Sequence, residues 1–327
     1  MLNKYSQILL KIIYKKELTQ KENSLFFRQF NSILKKASEN RIEFLFLKTI
    51  KKNYKEMFNK LSLNEMYGEG ENKISDFQRT ISFFQDKLNE LEYAIIKTYY
   101  SFPAIVSDID ILFFDKKGYD DFVGRLAQEG FSYKEDDELK GSLQKSGFMK
   151  CEPHNDISWH GMSFVSKDFI KNNLTKKRVG QSVLTIPNNK ATFVISLAHI
   201  LFDCEYLSIR DYLVLKKSVK DKTIVEACMD EADKFGWKDA AEYLISLLQE
   251  VKKASEGKTA VGQMSFPFWI PIMDMYAFFR NKLIFDFREK KENHLSFESI
   301  FFPFIYYFWK RLRSKFSKRI YRNSWLY

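Results

Sequence analysis

The stretch Ser107-Asp108-Ile109-Asp110-Ile111-Leu112-Phe113-Phe114 decides how the rest of the chain is read. It is apolar except at its start, as a buried strand is, and its two aspartates stand two residues apart. Side chains alternate across a strand, so both carboxylates share one face while Ile109 and Ile111 pack behind them. Two adjacent carboxylates repel each other unless a cation lies between them. A divalent ion, Mg²⁺ or Mn²⁺, supplies that cation, prefers oxygen ligands and keeps positions open for phosphate oxygens. Two such ions about 4 Å apart stabilise both the entering and the leaving oxygen of an in-line phosphoryl displacement. A bare Asp-x-Asp also occurs on ordinary solvent-facing strands, so its surroundings have to decide.

On the N-terminal side, Ala94-Ile95-Ile96-Lys97-Thr98-Tyr99 reads as a buried strand with Lys97 near its end, followed by a loop containing Pro103. On the C-terminal side a turn is expected at Gly118, with Asp115 belonging to it. A helix over Tyr119–Gln128 then turns Phe122, Val123 and Leu126 inward, and Gly130 ends it as a C-terminal cap. Strand-like runs follow at Phe131–Tyr133, Gly147–Pro153, Ile157–Trp159 and Val179–Ile186, with Pro187 marking the exit. The third of the acids is Glu152; Asp156 competes for that role. Cys151, next to Glu152, points to the opposite strand face and reads as core. Pro153 is expected at a strand edge or end, because it has no N–H for a ladder.

Helices flank this region. Tyr5, Leu9, Ile12 and Ile13 recur at helical spacing, and Leu25, Phe26, Phe30, Ile33 and Leu34 repeat the pattern. Gly68-Glu69-Gly70-Glu71-Asn72 reads as a polar break, after which Ser75 and Gln78 form a capping box for a helix with Phe77, Ile81, Phe84, Leu88 and Leu91 on one face. From Lys190 helices resume: Phe193, Val194, Leu197, Ala198 and Leu201 make one face, Ser208 with Asp211 caps the next, and two more cover about 222–235 and 238–254. His199 lies among apolar neighbours and reads more readily as a core histidine than as a ligand. Asp211 reads as a first-turn helix acid. Four segments result: a helical region over 1–92, a small mixed-sheet core over 93–189, a helical region over 190–256, and an aromatic and basic segment over 257–327 introduced by a linker at Ser255-Glu256-Gly257-Lys258.

Three pieces resemble the uncharacterised nucleotidyltransferase family of the DNA polymerase beta-like superfamily, archaeal members in particular. Ile95 to Pro103, followed by Ser107 to Leu112, is similar to the family's Lys-Gly or Lys-Thr turn and its Asp-x-Asp strand. Cys151-Glu152-Pro153-His154-Asn155-Asp156-Ile157-Ser158-Trp159 is similar to its acid-x-His segment. Ala198-His199-Ile200-Leu201-Phe202 with Leu207-Ser208-Ile209-Arg210-Asp211 is similar to its His-bearing helix and following Asp. The resemblance covers about residues 93–215 and implies an α+β fold: a small mixed-sheet nucleotidyltransferase core between N-terminal and C-terminal helical regions. It implies Asp108, Asp110 and Glu152 as catalytic carboxylates and metal ligands. Lys97 at the phosphate end, Ser107 and His154 then contact substrate. The activity implied is metal-dependent transfer of a nucleotidyl group from a nucleoside triphosphate to an acceptor, which is a small molecule, a protein or RNA. One departure stands out. Where the superfamily usually places a Gly-Gly or Gly-Ser turn beside the triphosphate, this chain has Lys97-Thr98, and no glycine between Asn89 and Gly118. That departure favours a rival reading, a non-catalytic protein of the same fold that binds RNA or an anionic membrane surface. A toxin-like enzyme acting on transfer RNA is the third.

Composition is compatible with all three. The 327 residues are 45% hydrophobic and 29% charged, the balance of a folded protein, and 32 phenylalanines predict Phe-rich cores. With 53 Lys and Arg against 42 Asp and Glu the net charge is +11, which suits polyanionic partners. Cys151, Cys204 and Cys228 are far apart, with no CxxC pair, so neither a disulfide framework nor a cysteine zinc site is indicated. There is no secretory signal pattern and no run of about 18 apolar residues, so the expected location is cytoplasmic. The apolar block Ile300–Trp309 and the basic residues Lys310, Arg311, Arg313, Lys315, Lys318, Arg319 and Arg322 read as a docked helix with a solvated end, or as a contact for RNA or anionic lipid.

Overall fold

A computed structural model describes residues 4–98, 100–137, 140–159, 162–204 and 207–255. The aromatic and basic segment over 257–327, with most of the expected linker, lies outside the described residues. Six helices come first: α1 (Lys4–Ile13), α2 (Gln20–Arg28), α3 (Phe30–Glu39), α4 (Glu43–Asn53), α5 (Lys55–Lys60) and the long α6 (Asn64–Lys87). The mixed region holds β1 (Tyr93–Ile96), β2 (Asp108–Phe113), α7 (Lys116–Gln128), β3 (Ser132–Asp137), β4 (Lys140–Gln144) and β5 (Lys150–His154). Short pieces β6 (Ser158–Trp159), β7 (Met162–Ser163) and α8 (Lys167–Lys171) lead to a hairpin, β8 (Leu174–Val179) and β9 (Ser182–Pro187). Helices α9 (Asn189–His199), α10 (Ile209–Leu215), α11 (Lys222–Lys234) and α12 (Lys238–Ser255) close the described chain, with a π-helical turn at Ile200–Cys204 after α9. The α+β class expected from sequence is therefore what the chain adopts.

The central sheet has five strands in the order β1-β2-β5-β4-β3. Its β2–β5 pair is parallel and its β1–β2, β4–β5 and β3–β4 pairs are antiparallel. Each face of the sheet covers its own core. On one side Ile95, Ile109, Ile111, Phe113 and Cys151 meet Ile81, Phe84 and Leu88 of α6 and its end, and Phe122 and Leu126 of α7. On the other, Ala94, Ile96 and Leu112 join a larger core in which α1, α3, α4 and α5 pack with α9 to α12. The helices before and after the sheet, far apart in sequence, thus share one apolar interior. Its aromatic content matches the Phe-rich expectation: Phe164 and Phe202 stack at 3.7 Å between ring centroids, and Trp237 donates its indole N–H to the Phe164 carbonyl at 3.0 Å.

Several local expectations are corrected. No break occurs at Gly68–Asn72: α6 runs through both glycines, and Ser75 is interior to the helix rather than its cap. Glycine is poor in helices, but tertiary packing overrides that preference. A Cβ at position 70 would lie 2.2 Å from Phe44 Cδ2, so the bare backbone is what lets α6 cross α4 this closely. The turn expected at Gly118 is the first turn of α7, whose N-cap is Asp115, its carboxylate accepting the Gly118 N–H at 2.7 Å. Gly130 does end α7 region's chain reversal in the left-handed conformation, φ 81°. The single strand expected over Val179–Ile186 is the turn and second arm of the β8–β9 hairpin, because Gly180 (φ 60°) reverses the chain. Strand β4, which the sequence reading missed, has only Leu143 as a large buried side chain and so shows little apolar alternation. Pro153 sits in an interior strand, one residue before its end; the recorded β4 partners of β5 are Cys151 and His154, either side of it. No helix among the described residues is long and apolar enough to cross a membrane.

Candidate functional site

The parallel register of β2 and β5 builds the site. Asp108 stands opposite Lys150, Asp110 opposite Glu152 and Leu112 opposite His154. Register partners in a parallel pair project to the same face, so Asp110 and Glu152, 42 residues apart, become neighbours. Asp110, Glu152 and His154 are all buried, and one ligand atom from each lies within 4.8 Å of the others. Asp108 is half-buried on the same face, nearer the surface, where Ser107 donates a hydrogen bond to its Oδ1 at 3.1 Å. The converging set thus exchanges Asp108 for His154 relative to the three carboxylates expected; Asp108 lines the cleft beside it. Asp108 stands at the start of β2, two residues before Asp110, and His154 two residues beyond Glu152 on β5.

The buried charges are held by cations of the chain. His154 Nε2 lies 2.8 Å from Asp110 Oδ1, and an ionised carboxylate makes that nitrogen the donor. Lys97 Nζ lies 3.4 Å from the same oxygen. Glu152 receives Lys140 at Oε2 and Lys150 at Oε1, each at 2.5 Å. Burial alone would raise the Asp110 pKa, but Lys97 and then the His154 hydrogen bond hold it well below the usual carboxylate range. Glu152 behaves alike: burial opposes ionisation, and the Lys140 and Lys150 hydrogen bonds outweigh it, so its pKa falls. Asp108 is the exception. Burial, then the charges of Asp110 and Glu152, raise its pKa, and Ser107 and Lys97 offset this only in part.

Lys97 follows β1 in a turn whose backbone is strained. It adopts φ 54°, the left-handed region that a side chain disfavours by about 1–2 kcal/mol. Thr98 follows, buried, accepting the Asp110 N–H on its hydroxyl at 3.1 Å and donating to the Ile96 carbonyl at 2.8 Å. Tyr100 donates its phenol hydrogen to the Lys97 carbonyl at 2.7 Å.

A cleft of about 320 Å³ lies over this face. Lys97, Asp108, Asp110, Lys140 and Glu152 form its sheet side, and Arg41, His199, Arg210 and Asp211 face it from the helices. No family model matches the chain. No curated protein and no solved structure matches it either. The site therefore rests on its own geometry.

Of the residues chosen from sequence, Lys97, Ser107, Asp108, Asp110 and Glu152 all line this cleft, and His154 lies beneath it on Asp110. Asp156 does not join them: it accepts from its own loop, the Ile157 N–H at 2.7 Å and the Ser163 hydroxyl. Asp211 is the capping-box acid expected, bonded to the Ser208 N–H at 3.1 Å. His199 departs from the core reading, being partly exposed on the cleft wall with Thr192 and Ser196, the polar stripe of α9. Sequence reasoning passed over Lys140, Lys150, Tyr100, Arg41 and Arg210. Lys150 was legible, two residues before Glu152 and so on its face; Tyr100 lies in the loop just after Lys97, and Lys140, Arg41 and Arg210 come from distant segments and carried no local signal.

Proposed function

We propose that this chain transfers a nucleotidyl group from a nucleoside triphosphate to an acceptor hydroxyl, forming its bond to the α-phosphorus and breaking the α–β anhydride with release of pyrophosphate, and that Asp110, Glu152 and His154 would hold a divalent cation for it. The observation that carries the reading is the shared rung of Asp110 and Glu152, with a nitrogen ligand within 4.8 Å of both and a third carboxylate, Asp108, on the same strand face. Two carboxylates and an imidazole form a donor set that fits a divalent ion, and the nitrogen moves preference from Mg²⁺ toward Mn²⁺. When bound there, the cation neutralises charge on the transferred phosphate and acidifies an acceptor hydroxyl.

The chain's own residues divide the remaining work. Asp108, with its raised pKa, is suited to take the proton of that hydroxyl. Lys97 and Lys140, which neutralise Asp110 and Glu152 when no cation does, turn their ammonium groups to phosphate oxygens instead. Without a cation His154 Nε2 holds the Asp110 carboxylate by a hydrogen bond, and ligation would require that nitrogen to give up its proton and this bond. The acceptor is a small molecule, a protein or an RNA. The test incubates the full-length chain with labelled nucleoside triphosphates, Mn²⁺ or Mg²⁺ and cell extract, and asks which molecule carries label. Transfer that persists in Asp110→Asn and Glu152→Gln would sink the assignment.

One observation favours a second reading, a protein of this fold that binds without catalysis. Lys97, Lys140 and Lys150 already compensate Asp110 and Glu152, so the fold stands without a metal. That reading expects no label transfer and no response of the melting temperature to Mn²⁺.

A further inference from the structure

Opposite the carboxylates, the helical wall of the cleft presents two arginines from distant segments. Arg41 follows α3 and Arg210 lies in the first turn of α10, and both also line a neighbouring cavity of about 560 Å³. Arg210 is only 7% exposed, yet its Nε makes no hydrogen bond. The acid recorded beside it among the described residues is engaged elsewhere. Asp211 gives Oδ2 to the Ser208 N–H at 3.1 Å and the Ser208 hydroxyl at 2.5 Å, and its Oδ1 stays 3.6 Å from Arg210 Nε, beyond hydrogen-bond reach. The guanidinium carbon lies 5.2 Å from the centre of the Tyr100 ring, which braces the planar group. Tyr100 also feels Asp110 and Arg41, so both walls of the cleft lie within electrostatic reach of it.

A buried donor without a partner is costly, and a chain keeps one where a ligand completes it. Guanidinium carries five donors in a rigid fork that matches phosphate oxygens in pairs, and it has no acceptor of its own. Two guanidinium groups on one wall suit a multiply charged anion; Asp211 stands beside them in the cleft, and Glu43 and Asp76 line the neighbouring cavity. We propose that Arg41 and Arg210 form an oxyanion subsite that takes a phosphate group of the ligand bound in this cleft. Binding re-seats the Arg210 guanidinium on the phosphate oxygens, while Asp211 remains on Ser208. The subsite rests on the nucleotidyltransferase reading only for the owner of that phosphate; phosphate binding itself needs no transfer.

The test is calorimetric titration of the full-length chain with inorganic tripolyphosphate in the presence of a chelator. Wild type is expected to bind at micromolar to millimolar concentrations, Arg210→Gln at least tenfold more weakly, Arg41→Gln more weakly, and Arg210→Lys in between, since it keeps charge but loses the fork. The proposal is overturned if wild type does not bind, or if Arg210→Gln melts like wild type and binds equally well. Equal binding of succinate overturns the phosphate assignment. So does loss of binding in Lys216→Gln/Lys217→Gln but not in Arg210→Gln, which moves the anion to a separate basic pocket lined by Lys16, Lys216, Lys217, Lys220 and Lys252. Should Arg210→Gln fail to fold, undiminished affinity in folded Arg41→Gln and Arg210→Lys overturns the proposal instead. Arginine-dependent tripolyphosphate binding without any label transfer leaves the subsite standing and rejects the transfer reaction alone.

Discussion

Asp110 and Glu152 occupy one rung of the parallel β2–β5 pair, on a face shared with His154. Two strands, one before and one after α7 in the chain, thereby set two buried carboxylates and an imidazole within 4.8 Å, with lysines compensating the carboxylate charge. A metal entering this site has to displace ammonium groups, so occupancy and stability are linked.

The first expectation follows from that linkage. Mn²⁺ at a hundredfold excess over its dissociation constant should stabilise the wild-type fold by about 2.7 kcal/mol through mass action. Asp110→Asn and Glu152→Gln should each abolish most of the rise in melting temperature. Scanning calorimetry with and without Mn²⁺ decides it; equal shifts in wild type and both variants would place the metal elsewhere.

Glycines 68 and 70 make a matched pair. Both are interior to α6, but a Cβ at 68 meets nothing within 4 Å whereas one at 70 runs into the Phe44 ring. Gly68→Ala should stabilise by up to about 1 kcal/mol through helix propensity. Gly70→Ala should destabilise by about 1–3 kcal/mol as Phe44 is forced aside. Urea denaturation of both variants reads the difference, and the same sign at both positions would contradict the helix crossing.

At position 97 the backbone is left-handed. Lys97→Ala and Lys97→Gly both remove the ammonium beside Asp110, but only glycine relieves the steric strain. The glycine variant should therefore be the more stable of the two by about 1 kcal/mol, against the usual order of these residues. Chemical denaturation curves for the pair test this directly.

Tyr100 supplies a pH dependence. Burial, assisted by Asp211 and Asp110 and opposed by Arg210 and Arg41, raises its pKa from 10.0 to about 12. A phenol whose folded pKa lies above its unfolded value favours the folded state fully below pH 10.0, and that contribution is lost as pH rises through about 12. In a spectrophotometric titration of the native protein, Tyr100→Phe should remove a component ionising near pH 12. A difference spectrum that titrates near 10 would falsify the buried setting of this ring.

Part of this was legible in residues alone. The alternation in Ser107–Phe114 is a local property, so the Asp-x-Asp strand and its shared carboxylate face followed from covalent geometry. The same holds for the Ser208–Asp211 cap and for Cys151 pointing away from Glu152. Local rules failed where tertiary contact outweighed propensity. Gly68 and Gly70 read as a break because propensity is local, while the Phe44 ring that requires Gly70 lies on another helix.

What only the tertiary structure decided is which distant groups share the cleft. The β2–β5 register set Glu152 beside Asp110 and brought His154 onto it; a shift of β5 by one residue would have turned Glu152 and His154 away. The common core of α1, α3–α5 and α9–α12 carried Arg41 and Arg210 to the same wall, though 169 residues separate Asn40 and Ile209, whose hydrogen bond ties the two segments together. Alternation and caps act over a few residues and are written in them. Charge compensation and cleft shape arise from packing between segments with no fixed spacing in sequence, and so they appear only when the chain is folded.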